Sequence, residues 1–209
     1  MDIKQRIKKI IVALKKEYPN AAIPLKHRSA LQLLIATILS AQCTDERVNK
    51  VTPDLFKKYK TVNDFANARQ SELEKLIRST GFFKNKSKNI IGCCQKIVED
   101  HNGKIPQTLE GMVKLPGVGR KTANVVLGGV WNVPGVVVDT HVIRLTNLLK
   151  LTKNSDPVKI EFDLMKIVPE KDWNIFSLLL IFHGRKTCVA RRPQCTGCVV
   201  NGLCLSSKV

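Results

Sequence analysis

The chain has 209 residues, 44% of them hydrophobic, enough to bury a sizeable core in one large domain or two small ones, which excludes a disordered chain. Lys and Arg number 35 against 17 Asp and Glu, and the resulting +18 is spread along the chain, which suits a polyanionic partner, nucleic acid before an acidic membrane. The seven cysteines are an odd number with no secretory-type apolar segment before them, so a reducing compartment is expected; no run of about 18 apolar residues exists to span a membrane.

At the start of the chain, MDIKQRIKKIIVAL places Ile3, Ile7, Ile10, Ile11 and Leu14 on one helical face, and docking on a core is favoured over lying on a membrane. Residues 29–42, SALQLLIATILSAQ, are apolar nearly all round and predict a buried central helix; 72–78 and 88–99 predict shorter amphipathic helices. In between, STGFFKNKSKN carries Phe82 and Phe83 beside Lys84, Lys86 and Lys88, whose spacing suits phosphates or a solvated face equally. TLEGMVKL then leads into LPGVG, where Pro116, Gly117 and Gly119 must reverse the chain. Read alone this is a helix-helix turn, although glycine amides at a helix N-terminus also suit a phosphate oxygen.

Four further helices are predicted in RKTANVVLGGVW, THVIRLTNLLKL, PVKIEFDLMKIV and KDWNIFSLLLIFHG, the last stopping near Gly184. VPGVVVD at 133–139 is the best strand candidate, too short and isolated to build a sheet, so the fold class is all-α. Pro134-Gly135 is where the chain is expected to cross between subdomains, giving a six-helix domain over 23–133 and a second over 1–22 plus 134–209. Asp139 reads as the N-cap of the next helix, and His141 as a packing or hydrogen-bonding neighbour of that cap. The chain closes on Cys188, Cys195, Cys198 and Cys204, a C-x6-C-x2-C-x5-C set of soft ligands in a loop with Arg191, Arg192, Pro193 and Gln194 that offers them no core. Metal ligation follows, zinc or iron–sulfur, while Cys43, Cys93 and Cys94 lack ligand spacing and read as core.

LPGVGRKTANVV followed by VDTHVIR resembles the helix-hairpin-helix DNA glycosylases, and with ILSAQ at 38–42, HGR at 183–185 and the terminal cysteines the resemblance runs almost end to end, closest to the endonuclease III family. It implies a two-subdomain fold with a DNA-binding cleft between a helical barrel-like domain and an iron-sulfur domain, and a [4Fe-4S] cluster on the four terminal cysteines. It also places the family's nucleophilic lysine on Lys121 and its catalytic aspartate on Asp139. In the first turn of its helix Lys121 meets the positive end of the macrodipole and neighbouring Arg120, which disfavour its ammonium form. A neutral amine attacking the sugar C1′ gives an imine after ring opening, and a carboxylate assists deprotonation and steadies the positive charge developing on the sugar.

The same resemblance assigns Gln42 and Phe82 to filling the hole left by the extruded base, Phe82 standing where leucine is usual. Gly117, Gly119 and Arg120 are expected to hold phosphates at the hairpin, as are Arg185, Lys186, Arg191 and Arg192 beside the cysteine segment. The implied activity is excision of oxidised pyrimidines from duplex DNA with abasic-site lyase activity, by a monomer in a prokaryotic cytoplasm. Three alternatives make distinct demands. An adenine-mismatch glycosylase lacks the nucleophilic lysine and carries a further C-terminal domain, a non-catalytic DNA-binding module cleaves nothing, and an electron-transfer protein is indifferent to Lys121→Gln.

Overall fold

The computed structural model describes residues 1–208; among them eleven α-helices and three short 3-10 turns make up the regular structure, with no strand. Helix α1 (Ile3–Glu17) starts at Asp2, whose carboxylate accepts the Lys4 N–H at 3.0 Å. Its Ile7, Ile10, Ile11 and Leu14 are buried in a core shared with the C-terminal part of the chain, so this face docks internally as expected. No helix is long and apolar enough to cross a membrane among the described residues.

The chain divides into two compact units, one of Ile23–Val133 and one of Met1–Ala22 with the chain from Pro134 on. In the first, α2 (Ala30–Leu39) begins at Ser29, whose hydroxyl accepts the Gln32 N–H at 3.2 Å, and Leu33, Leu34, Ile35, Ala36 and Leu39 are fully buried along it. Around it come α3 (Asp45–Lys58), α4 (Val62–Ala66), α5 (Gln70–Ile77), α6 (Phe83–His101), α7 (Leu109–Val113) and α8 (Arg120–Trp131). Helix α2 packs on α3, α6 and α8, and both α4 and α5 pack on α6. Seven helices stand where the sequence predicts six. Pro53 inside α3 masks that helix in the sequence, and the five-residue α4 and α7 are too short to display a period. Helix α6 starts five residues before the predicted 88–99, through a polar first turn in which only Lys86 and Ser87 are buried.

The second unit adds α9 (Thr140–Leu148), α10 (Pro157–Ile167) and α11 (Trp173–Lys186), with Phe176, Leu179 and Leu180 buried against the apolar face of α1. Helix α11 runs two residues past the predicted stop at Gly184, because the Thr187 and Cys188 N–H groups still find the His183 carbonyl. The β-branched stretch before Asp139 forms no strand: the Gly135 N–H donates to Asn174 Oδ1 at 3.0 Å and the Val137 N–H to Ser177 Oγ at 2.9 Å, so its donors go to side chains of α11.

Candidate functional site

In the Ile23–Val133 unit, α7 and α8 pack together through a hairpin pinned by buried Leu115 and Val118. Gly117 lies at φ +74°, and a Cβ on it would meet the Asn89 Cβ of α6 at 2.7 Å, so both backbone and space require glycine. Gly119 differs: its φ of −88° suits any residue, and nothing lies within 4 Å of where its Cβ would be. It is the N-cap of α8, no side chain caps that helix, and its first turn holds no acidic residue. The helix therefore opens on amides and a clear approach, an anion site in chemistry.

Arg120 and Lys121 are the first two residues of α8. The Lys121 side chain is exposed and forms no ion pair or hydrogen bond among the described residues, whereas the opposite face of the helix is fixed by buried Ala123, Asn124, Val126 and Leu127. An amine in the first turn of a packed helix, beside open amides and unengaged by any carboxylate among the described residues, has the chemistry of a nucleophile.

Gln42 and Phe82 share two properties. Both are exposed and both are non-glycine residues in the left-handed region, at φ 52° and φ 48°. Such conformations cost of order 1–3 kcal/mol and concentrate where function needs a side chain aimed. Phe82 is 61% exposed, while Phe83 packs on the core with the Arg78 guanidinium 6.0 Å from its ring centroid. Of the two aromatic residues, Phe82 is thus the one whose ring stands clear of the core. Lys86 departs from the reading that grouped it with Lys84 and Lys88. It is buried, its ammonium donating at 2.8 Å to both the Leu39 and the Thr80 carbonyls, so it contacts no phosphate. The physical reason is helix phase: Lys86 falls on the stripe of α6 that also buries Ile90, Cys93 and Ile97.

In the other unit, Asp139 is the N-cap of α9, its Oδ1 accepting the Val142 N–H at 2.9 Å. Its Oδ2 has no hydrogen-bond partner among the described residues, so one oxygen holds the helix while the other remains available. His141 packs on α11, where a Cβ at Gly184 would meet its Nδ1 at 2.8 Å. Arg185, Lys186, Arg191 and Arg192 are all exposed on this unit, Lys186 lying 5.9 Å from the Tyr18 ring centroid.

Cys188, Cys195, Cys198 and Cys204 line one hollow in this unit, with Leu145, Leu149 and Val200 among its walls. Burial pushes the Cys198 thiol above its ordinary pKa; the Val200 N–H opposes this, and the Cys188, Cys204 and Cys195 thiols add to it. Four thiolates crowded together need a cation to hold them charged. Zinc or an iron–sulfur cluster would supply it, and thiolates are the ligands both take.

Donors that sequence reasoning missed surround these sulfurs. His183 Nε2 lies 3.5 Å from Cys198 Sγ and its Nδ1 3.1 Å from the Tyr18 hydroxyl, while Arg144 Nη1 lies 3.6 Å from Cys188 Sγ. Burial, helped by the Arg144 charge, drops the His183 pKa to about 4. Cys93 and Cys94 are buried as expected, and burial raises the Cys93 thiol to about 12, beyond reactivity near neutral pH.

Comparison with known proteins covers nearly the whole chain. A family model described as HhH-GPD superfamily base excision DNA repair protein matches residues 35–170, and another, the iron-sulfur binding domain of endonuclease III, matches residues 188–204. Endonuclease III of Synechocystis sp. is 54% identical over 206 residues, covering 98% of this chain and 94% of that protein. Endonuclease III of Bacillus subtilis is 44% identical over 188 residues, covering 90% and 86%. Among solved structures, a trapped endonuclease III–DNA covalent intermediate aligns with a TM-score of 0.93 at 43% identity over 99% of this chain and 97% of that one. A thermostable thymine-DNA glycosylase shares the fold, with a TM-score of 0.87 at 22% identity over 97% and 96%.

Proposed function

The chain belongs to the HhH-GPD superfamily of base excision DNA repair proteins, within its endonuclease III family, and from this we propose a bifunctional DNA glycosylase and abasic-site lyase that removes oxidised pyrimidines from duplex DNA. The observation that carries the assignment of roles is the unengaged Lys121 amine in the first turn of α8, directly after a hairpin with open amides. In this reading the hairpin amides at Gly117 and Gly119, with Arg120, hold the DNA backbone without reading its sequence. The neutral Lys121 Nζ forms a bond to the sugar C1′ as the C1′–base bond breaks, its electron pair leaving with the base, which takes up a proton. Ring opening gives the Schiff base, loss of the C2′ proton expels the 3′ phosphate by β-elimination, and water releases the sugar fragment from Lys121. The Asp139 carboxylate assists deprotonation of the nucleophile and steadies positive charge on the sugar, while Gln42 and Phe82 occupy the space vacated by the extruded base.

The protein carries a [4Fe-4S] cluster, for which Cys188, Cys195, Cys198 and Cys204 are the ligands in this reading. When bound, the cluster supplies charge and four fixed attachment points to a segment without an apolar core of its own. Arg185, Lys186, Arg191 and Arg192, so steadied, face the backbone of the DNA. Bacterial relatives and the lack of a membrane-crossing helix among the described residues support action on the chromosome in the cytoplasm.

Two assays test the reading. Borohydride should trap the protein covalently on duplex DNA carrying an abasic site, and trapping that persists in Lys121→Gln overturns the nucleophile. Duplexes carrying thymine glycol, 5-hydroxycytosine or an abasic site should be cleaved; cleavage instead at adenine opposite 8-oxoguanine or at a G·T mismatch overturns the substrate class.

A further inference from the structure

Lys86 sits in the first turns of α6, where the positive end of that helix disfavours a cation, and it is 4% exposed with no carboxylate paired to it among the described residues. Burial lowers its pKa, with only the Cys43 thiol pushing the other way. A methionine would fill the same volume without that desolvation, so what the ammonium touches must explain it. It donates to the carbonyl of Leu39, the last residue of α2, and to the carbonyl of Thr80, the last residue of the 3-10 turn Arg78–Thr80. One cation thus caps the negative ends of two elements.

Each capped carbonyl leads within three residues to a residue in the left-handed region, Gln42 after Leu39 and Phe82 after Thr80. The backbone of Lys86 grips the second loop as well, its N–H donating to the Phe82 carbonyl at 3.0 Å. Between the two anchors Gly81 lies at φ 70°, ψ 161°, a region only glycine occupies freely. The loop is therefore held on both sides of its one glycine and projects Phe82 from a fixed base.

We infer that Lys86 is a positioning residue for base extrusion, tying the loop of Gln42 to the loop of Phe82 so that both side chains enter the duplex in one geometry. The inference rests on the reading of Gln42 and Phe82 as the residues that fill the vacated space. Each loop's own hydrogen bonds stay within it: beyond α2 the Ser40 N–H and hydroxyl donate to the Ala36 and Thr37 carbonyls, the Ala41 N–H to Ile38 and the Cys43 N–H to Ser40, while the Gly81 N–H donates to Arg78. The Lys86 ammonium links them.

A double-mutant cycle tests this, using single-turnover excision of thymine glycol from a duplex, per active site counted by borohydride trapping. Lys86→Met and Phe82→Ala should each slow excision at least tenfold, and adding Lys86→Met to Phe82→Ala should cost clearly less than it costs the wild type, because a wedge that is absent cannot be misaimed and only Gln42 is left to lose its aim. Lys86→Arg, which keeps donors for both carbonyls, should recover most of the rate. Multiplicative losses in the double variant overturn the inference while leaving the wedge intact. Full activity in Phe82→Ala and Gln42→Ala overturns the wedge reading itself, a different failure. Should Lys86→Met not fold, Lys86→Gln enters the same cycle, with the same outcomes deciding.

Discussion

A methyl group at Gly117 and one at Gly119, two residues apart in the same hairpin, should have opposite effects. At Gly117 alanine must adopt φ +74°, a strain of about 1–2 kcal/mol for an L-residue. Its Cβ must also displace the Asn89 Cβ from 2.7 Å, and because that atom is fixed to the α6 backbone, overpacking of about 1–3 kcal/mol follows. Reduced freedom of the unfolded chain returns about 0.4–1 kcal/mol. The net loss is about 2–4 kcal/mol, a fall in Tm of roughly 5–15 °C for a chain of this size. At Gly119 the backbone is ordinary and the space is open, so the same unfolded-state gain offsets the weaker N-cap and Tm should stay within about 2 °C. Its methyl would instead enter the open space by which the proposed phosphate approaches the α8 amides, and losing a charge-assisted hydrogen bond there should weaken DNA binding by roughly 10–100-fold. Thermal denaturation by circular dichroism and anisotropy titration with a labelled abasic-analogue duplex at fixed salt measure both. Unchanged Tm in Gly117→Ala, or wild-type affinity in Gly119→Ala, refutes the division of roles between the two glycines.

Asp139→Asn should retain Tm within about 1 °C, since asparagine caps helices as well as aspartate does, yet lose at least 100-fold in single-turnover excision. Loss of Tm with retained excision would mean that the carboxylate only caps α9. Cys198→Ser should lower iron per chain and expose the segment around 188–204 to limited proteolysis while the Ile23–Val133 unit resists it, as gel and mass analysis will show. Hydrogen bonds from the Thr152 hydroxyl and the Asn154 amide, both at 2.6 Å, hold the Asp163 carboxyl below its ordinary pKa. Its stabilising effect is therefore complete above the unfolded-chain value of about 4 and fades as pH falls through the lower folded value. Asp163→Asn should accordingly cost at most about 1 kcal/mol at neutral pH, screened as the site is by solvent, and the difference from wild type should shrink in denaturation titrations repeated toward pH 3.

Much of the site could be read from residue types because the chemistry needs particular atoms. The hairpin shows as proline and glycines between two helical patterns, and the cysteine segment shows because four thiols in a polar loop have no other use. The Asp139 cap is visible as a carboxylate ahead of a helical run, and the structure adds that its second oxygen has no partner among the described residues. Lys86 escaped because lysine is ordinarily a surface residue, and a charge-based reading grouped it with Lys84 and Lys88. A signal was present all the same: counting back from Ile97, Cys93 and Ile90 at helical spacing lands on residue 86. His183 and Arg144 escaped for another reason. Their partners are sulfurs on distant parts of the sequence, and no local pattern reports a contact across 15 or 44 residues. The stretch 133–139 misled mildly, since β-branched residues favour extended backbone but cannot say whether a strand or a helix's side chains will satisfy it.

The division of the chain has a bearing on how the protein is made. Helix α1 is made well before its partners, since Arg6 donates to the carbonyls of Leu149, Lys150 and Leu203, and Ile7, Ile10 and Leu14 are covered by residues from α9 to α11. At about 5–20 residues per second, the α1 face waits roughly 10–40 s for those partners, while the whole Ile23–Val133 unit emerges between them. A basic amphipathic helix is thus left bare for that interval, and its apolar stripe of Ile3, Ile7, Ile10, Ile11 and Leu14 is the natural client surface for a nascent-chain chaperone. The wait ends only when the carbonyls of Leu149, Lys150 and Leu203 come within reach of Arg6.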